Sequence, residues 1–189
     1  MMATLNFQQQ LLTLIKTGEG SVSHMYLDTV AKVTVGVGNL LPDVVSAQAL
    51  PFLQRDNNDP ASPQQIEEDF HRVAEQQAGK LASSYQKYTR LYLPEEDINS
   101  LLSRRIADFE AALAVDFMGY SQYPETAQKA LMDMVFNLGN RGLIEKFPSL
   151  TRAVREQNWE KCAKQCHRRG ISEARNDEVY ALFMAAARV

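Results

Sequence analysis

Three residues near the start of the chain have the types and the spacing of an acid–base catalytic set. Glu19 lies between two glycines, Asp28 follows nine positions later and Thr34 six positions after that, which gives the pattern Glu-x8-Asp-x5-Thr. Two carboxyl groups across a cleft suit hydrolysis of a glycosidic bond, because one donates a proton to the leaving oxygen and the other orients a water molecule. The short side chain of Thr34 is able to hold that water.

Each of the three residues also has a structural interpretation. Glu19 is compatible with a helix end beside turn glycines, Asp28 with a turn acid and Thr34 with an ordinary strand residue. A glutamate near a helix C-terminus opposes the helix macrodipole, however, and a structural role does not explain that placement. We therefore favour the catalytic interpretation, and we expect Glu19 to be buried against a cleft wall as the proton donor.

The elements around these residues are predicted to bring them together. Apolar residues recur at helical spacing over 5–17, and a glycine is predicted to end this helix just before Glu19. The stretches HMYLD and KVTVGVG alternate across a turn at 28–31, which predicts a small antiparallel hairpin. A helix followed by a hairpin places Glu19, Asp28 and Thr34 at one cleft.

The rest of the chain is predicted to be mostly helical. Residues 42–63 contain four of the seven prolines, so we expect no helix interior or core strand there. A helix over 63–82 is predicted to begin with a capping box at Ser62 and Gln65. Further helical patterns are a long amphipathic one after Pro94, a central apolar one over 127–138, and shorter ones at 148–156, 158–168 and 172–187.

These elements predict an α+β fold that is dominated by helix. We expect one domain over 1–189 with two lobes. The small lobe, 18–93, contains the hairpin, and the helical lobe consists of 94–189 together with the helix at 5–17. A long helix is expected to join them.

Composition and charge exclude several classes of function. No stretch approaches the roughly 20 apolar residues of a membrane span, and the apolar residues near the N-terminus lack the flanks of an export signal. Residues 141–189 hold ten Lys and Arg against six Asp and Glu, but no dense basic stripe with interleaved aromatics, so nucleic-acid binding is disfavoured. The three histidines are scattered and no glycine-rich phosphate loop precedes a helix, so no metal or other cofactor is expected.

The chain has two cysteines, Cys162 and Cys166. A spacing of four residues places them on one face of a helix. A disulfide between successive helical turns strains the bond geometry, and two thiols with His167 make an incomplete zinc set. We therefore predict reduced cysteines that pack in the interior.

Several segments together resemble the phage-type lysozymes, glycoside hydrolase family 24. They are GEG and YLDTVAKVTVGVGNLL near the start, and ALMDMVFNLG and FPSL much later. The resemblance covers most of the chain and is weakest over 42–92. In that family the Glu-x8-Asp-x5-Thr pattern is the catalytic set, and all three positions match here.

The resemblance implies a lysozyme-like fold and a muramidase. It implies cleavage, with inversion, of the β-1,4 bond between N-acetylmuramic acid and N-acetylglucosamine in peptidoglycan. Glu19 would be the acid, and Asp28 with Thr34 would activate water. It further implies that the substrate is contacted by four more residues, namely Leu40, Phe136, Ser149 and Gln165.

Those four residues have structural alternatives as well. Phe136 lies on an apolar helix and is compatible with the core, Ser149 follows a proline at a helix start, and Gln165 fits an exposed position. Arg175 and Glu178, three positions apart near the end of the chain, resemble a closing motif of endolysins, and a structural ion pair between them is our expectation.

Two features depart from the family pattern. Asn39 stands where the T-even phage enzyme has a histidine, so an ion pair built on that histidine is missing. Residues 42–92 are longer than in compact members, and the added helix is expected to reshape the cleft rim or to dock a partner.

Two other functions remain open from the sequence. A lytic transglycosylase uses one acid and leaves an anhydro sugar, and a non-catalytic lysozyme-like module would only bind the wall. Because peptidoglycan lies outside the bacterial inner membrane, we expect delivery to the periplasm or cell wall by a phage holin, a secretion system or a longer parent chain. If the chain is an antibacterial effector, an immunity protein is an expected partner.

Overall fold

A computed structural model describes residues 6–189 of the chain, which form two compact units. The sheet unit consists of residues 19–103. The helical unit consists of residues 6–18 and 104–189. The predicted α+β class with a majority of helix is confirmed, since eight helices and five short strands are found in the described part.

The sheet unit is built around the predicted hairpin. Strand β1 (Val22–Leu27) pairs antiparallel with β2 (Val33–Gly36), and β2 pairs with a third strand, β3 (Asn39–Leu40). All four residues of β2 are buried because the strand lies in the middle of the sheet. Gly36 has a φ of 68°, and a Cβ there would lie 3.3 Å from the Ile98 side chain, so this position requires glycine.

The proline-rich region is more ordered than predicted. It contains a five-residue helix, α2 (Val44–Gln48), and a two-residue strand, β4 (Leu53–Gln54). The Asp43 side chain begins α2 by accepting a hydrogen bond from the Ser46 amide at 2.7 Å. The expectation of no helix over 42–63 is therefore wrong, because one capping side chain is enough to start a single turn between prolines.

Helix α3 (Pro63–Ala74) begins as predicted but ends early. The capping box is confirmed, with Gln65 N to Ser62 Oγ at 3.3 Å and Ser62 N to Gln65 Oε1 at 2.8 Å. The predicted continuation to 82 is wrong, since α3 ends at Ala74 and Leu81, which lies beyond it, is 81% exposed. A 3-10 helix (Ala82–Tyr88) and strand β5 (Leu91–Tyr92), which pairs with β4, follow instead.

The helical unit contains most of the remaining helices. Helix α1 (Phe7–Glu19) enters it at the start of the chain, and α4 (Glu95–Asp116) begins in the sheet unit and continues into it. The central helix is α5 (Glu125–Lys146), whose residues 130–136 are all buried. Gly139 has φ 70° and ψ 160°, so the helix kinks there without ending. Three shorter helices follow, α6 (Pro148–Arg155), α7 (Trp159–Gln165) and α8 (Glu173–Ala186).

The cysteine prediction is confirmed. Neither Cys162 nor Cys166 forms a disulfide, and both are buried. Burial raises the pKa of the Cys162 thiol to about 12 and that of Cys166 to about 11. Both thiols therefore stay protonated and act as small apolar side chains.

No helix in the described part of the chain has the length and apolar character that crossing a membrane requires.

Candidate active site

Glu19 is the last residue of α1, two residues later than the predicted helix end at 17. Gly20 follows with φ 80°, a left-handed conformation that stops the helix and turns the chain towards β1. The expected burial of Glu19 is wrong, because the residue is exposed. The flanking glycines provide no side chains to cover it, so a bound substrate would have to exclude water from the carboxyl group.

Asp28 lies directly after β1 and organises the hairpin loop. Its Oδ1 accepts hydrogen bonds from the amides of Val30 at 2.9 Å and Lys32 at 2.8 Å. Its backbone N–H donates to Lys32 O at 2.9 Å, and Ala31 adopts a φ of 62°. Within the described part of the chain no hydrogen bond engages Oδ2, so the half-buried carboxylate keeps one oxygen for another partner. The structural and the catalytic interpretation of Asp28 are thus compatible.

Thr34 is the second residue of β2 and is 2% exposed. Its hydroxyl donates to Lys32 O at 3.1 Å, so both side chains are anchored to the peptide groups of Lys32. Because its proton is committed to Lys32 O, the hydroxyl oxygen is left as an acceptor for a water proton. The hairpin therefore brings the side chains of Asp28 and Thr34 to the same residue, Lys32.

Leu40 is brought to Thr34 by the sheet. The register places Tyr26 opposite Thr34 on one side and Leu40 opposite Thr34 on the other. Residues directly opposite each other in antiparallel strands share a face, so these three side chains form one row. Leu40 is 50% exposed, which fits an apolar contact for a sugar ring. Tyr26 is an aromatic neighbour that the sequence reasoning missed, although its position two residues before Asp28 on an alternating strand was a usable signal.

The other three predicted substrate contacts lie in the helical unit, on three different helices. Phe136 on α5 is only 6% exposed, and its ring packs edge-to-face on Phe109 with the Arg105 guanidinium 4.6 Å from its centroid. Ser149 is the second residue of α6 and Gln165 the last of α7, and both are exposed. No hydrogen bond or ring contact within the described residues joins these three.

A buried ion-pair network holds the end of α1 within the helical unit. Asp133 on α5 is 1% exposed and accepts from Arg168 Nη2 at 2.6 Å and from Arg175 Nε at 3.0 Å. Arg175 also donates through Nη1 to the carbonyl of Gly18 at 3.1 Å. The guanidinium of Arg175 therefore lies on Asp133 and Gly18, and the expected pairing with Glu178 is wrong.

The same network explains the glycine before Glu19. A Cβ on Gly18 would lie 2.9 Å from Cζ of Arg175, so any larger residue displaces the guanidinium. Asp133 interrupts the apolar run ALMDMVF, and a carboxylate at such a buried position needs a cationic partner. That interruption was the sequence signal for this network.

No group of three or more metal-ligating side chains that could hold an ion is found within residues 6–189.

Comparison with known proteins shows the family and the fold of the chain. The model of the phage lysozyme family matches residues 16–183 of the chain. A crystal structure of a P22 lysozyme mutant is similar over 97% of this chain and 99% of that chain, with a TM-score of 0.58 at 17% sequence identity. At this identity the similarity shows the fold. No curated protein sequence matches the chain.

Proposed function

Because the chain belongs to the phage lysozyme family, it is a glycoside hydrolase that degrades peptidoglycan, and we propose which bond it cleaves and by which mechanism. The bond is the β-1,4 linkage between N-acetylmuramic acid and N-acetylglucosamine. Glu19 donates a proton to the leaving oxygen, and a water held by Asp28 and Thr34 attacks with inversion.

The observation that carries this proposal is the shared anchoring of Asp28 and Thr34. Both side chains bond to the peptide groups of Lys32, which leaves Asp28 Oδ2 and the Thr34 hydroxyl oxygen as acceptors. We place one water molecule between these two acceptors, since each is able to accept one of its protons. The carboxylate then removes a proton as the water oxygen attacks the sugar. Leu40, next to Thr34 in the sheet, supplies an apolar contact for the ring.

The three proposed contacts from the helical unit, Phe136, Ser149 and Gln165, differ in exposure. Ser149 and Gln165 are exposed and carry the hydroxyl and amide groups that suit N-acetyl arms, whereas the ring of Phe136 is almost covered. Alanine variants of Ser149 and Gln165 should raise KM on soluble glycan strands while leaving kcat nearly unchanged.

Product analysis separates hydrolysis from transglycosylation. Peptidoglycan digested in water enriched in heavy oxygen should give muramic acid reducing ends that carry one heavy atom, because the attacking water enters the product. Anhydro ends throughout would show a lytic transglycosylase. An inverting reaction should give the α-anomer first when the fresh products are followed by proton NMR.

The proposal extends to the setting in which the enzyme acts. Its substrate lies outside the inner membrane, so we propose delivery by a phage holin, by a secretion system or within a longer chain. In the effector case the producing cell needs an inhibitor of the enzyme. A pull-down from that cell with the Glu19→Gln variant should recover a cognate inhibitor, and recovery of none would favour the phage setting.

A further inference from the structure

A pocket of about 550 Å³ opens in the sheet unit, away from the residues proposed for catalysis. Its lining includes none of Glu19, Asp28 and Thr34, and it comes from α3, from β4 and from the segment that ends in β5. All of its lining residues lie within 42–92, the segment that is longer than in compact family members. Pockets of roughly 300–1,000 Å³ are typical of small-ligand sites.

Asp69 on α3 builds the wall of this pocket. It is 1% exposed, and its Oδ2 accepts hydrogen bonds from the amides of Arg90 at 2.8 Å and Leu91 at 2.9 Å. Its Oδ1 accepts no hydrogen bond in the described part of the chain and lies 3.3 Å from Arg72 Nη2. Burial raises the pKa of Asp69. The carboxylate thus ties β5 to α3 and fixes the Arg72 guanidinium at the wall.

Three guanidinium groups line the pocket, and each has N–H groups to spare. Arg72 bonds to the Glu68 carbonyl and carboxylate, both at 3.2 Å, and Arg55 bonds to Leu91 O at 3.0 Å. The backbone of Arg90 is engaged by Asp69, but no hydrogen bond or ion pair of its side chain is found within the described residues. Because a guanidinium carries five N–H donors, most of the donors around the pocket remain open.

The other polar side chains of the pocket are already engaged with one another. The Gln65 amide donates to Gln54 at 2.8 Å and accepts from the Ser62 amide at 2.8 Å, and Thr89 donates to Gln86 O at 2.9 Å. Three acids, Asp56, Glu68 and Asp69, balance the formal charge of the three arginines. Glu68 and Asp69 are engaged by Arg72, so the open groups are the spare N–H donors of the arginines and the exposed carboxylate of Asp56. This arrangement suits a ligand with a carboxylate and a neighbouring N–H, as at the end of a peptide.

We propose that this pocket binds the free carboxylates of the peptide stems that peptidoglycan carries. The enzyme would then hold the peptide part of its substrate through Arg55, Arg72 and Arg90 while the hairpin acts on the glycan. The choice of ligand rests on the proposed function, since peptidoglycan is the substrate and its stems end in carboxylates. A pocket of this volume admits the end of a peptide and not the surface of a folded protein.

Binding of a stem peptide tests the proposal directly. The full chain is titrated by calorimetry with a stem tetrapeptide and with the same peptide fully amidated. We expect the carboxylate form to bind and Arg90→Gln to weaken it by about tenfold or more, since charge-assisted bonds to guanidinium are among the stronger ones. Arg152→Gln, which changes an exposed arginine of α6, is the matched control and should bind as the unmodified chain does.

Three results would overturn the proposal. The first is that the amidated peptide binds as tightly as the carboxylate form. The second is that neither Arg90→Gln nor Arg55→Gln weakens binding of the peptide. The third is that the peptide does not bind and an acidic protein binds instead, in a way that depends on Arg90. Because Arg90 is exposed and its side chain has no bonds in the described fold, its replacement should leave the circular dichroism spectrum unchanged.

Cleavage assays separate this proposal from the proposed function. Arg90→Gln should raise KM on intact sacculi and leave cleavage of glycan strands stripped by an amidase unchanged. If Arg90→Gln impaired both substrates equally, the peptide site would be refuted while the muramidase assignment stood. If the unmodified enzyme cleaved neither substrate, the proposed function would fail, and the titration would still decide the pocket.

Discussion

Replacing Asp133 with alanine should destabilise the protein more than any exposed substitution. Asp133 pairs with Arg168, whose side chain is 1% exposed, and with Arg175. Without the carboxylate, the Arg168 guanidinium keeps one bond within the described residues, to the Asp133 carbonyl at 3.3 Å, and its Nε already has no partner there. Breaking a buried ion pair by removing one partner costs about 3–5 kcal/mol. For a chain of this length that corresponds to a fall in Tm of roughly 6–20 °C.

Thermal unfolding followed by fluorescence of Trp159 measures this effect. Trp159 is the single tryptophan and is 7% exposed, stacked on Phe183, so its emission reports on the helical unit. Asp177→Ala changes an exposed aspartate of α8 and is the control, with an expected change within about 0.5 kcal/mol. The double variant Asp133→Ala with Arg168→Met should recover part of the loss, because the fully buried guanidinium is then removed together with its carboxylate partner. A loss below about 1 kcal/mol for Asp133→Ala would refute this reasoning.

Three further perturbations follow from particular contacts. Gly18→Ala should lower kcat by a larger factor than it lowers the folding equilibrium constant, since its Cβ would lie 2.9 Å from Arg175 next to the proposed acid Glu19. Equal kcat values for Gly18→Ala and the unmodified chain would contradict this. Burial lowers the pKa of His24, so the unfolded chain takes up a proton first and stability should fall as the pH drops through about 6.5. His24→Gln should flatten this dependence, measured by urea unfolding, whereas the exposed His71→Gln should not. Cys162 and Cys166 should react with Ellman's reagent at pH 8 only after unfolding, because their pKa values are raised to about 12 and 11.

The elements with strong local signals were predictable from the sequence. In each of them a regular spacing of apolar residues occurs next to a residue that begins or ends the element. Examples are the capping box at Ser62, the alternation around Asp28 and the apolar run of α5. The end of α3 was not predictable in this way. Leu81 continues the helical spacing of apolar residues, but α3 has already ended at Ala74 and the Leu81 side chain is exposed. The spacing of apolar residues shows which face of a helix is buried, but it does not show at which residue the backbone hydrogen bonds of the helix end.

The candidate site was predictable where the residues lie close in the chain. Asp28, Thr34 and Leu40 fall on one short meander, whose register follows from alternation and turn position. The exposure of Glu19 and the pairing of Arg175 with Asp133 depend on side chains far apart in sequence. The arginine pocket was missed for the same reason, since Asp69 meets Arg90 only after α3 packs on β5.

The central claim is that Glu19 supplies the proton for glycosidic cleavage. The most direct measurement is the initial rate of reducing-end release from purified sacculi by the unmodified chain, by Glu19→Gln and by Glu160→Gln, which alters an exposed acid of α7. We predict that Glu19→Gln lowers the rate roughly 10²- to 10⁴-fold while Glu160→Gln leaves it unchanged. A Glu19→Gln variant that is folded and cleaves sacculi at the unmodified rate would contradict the claim.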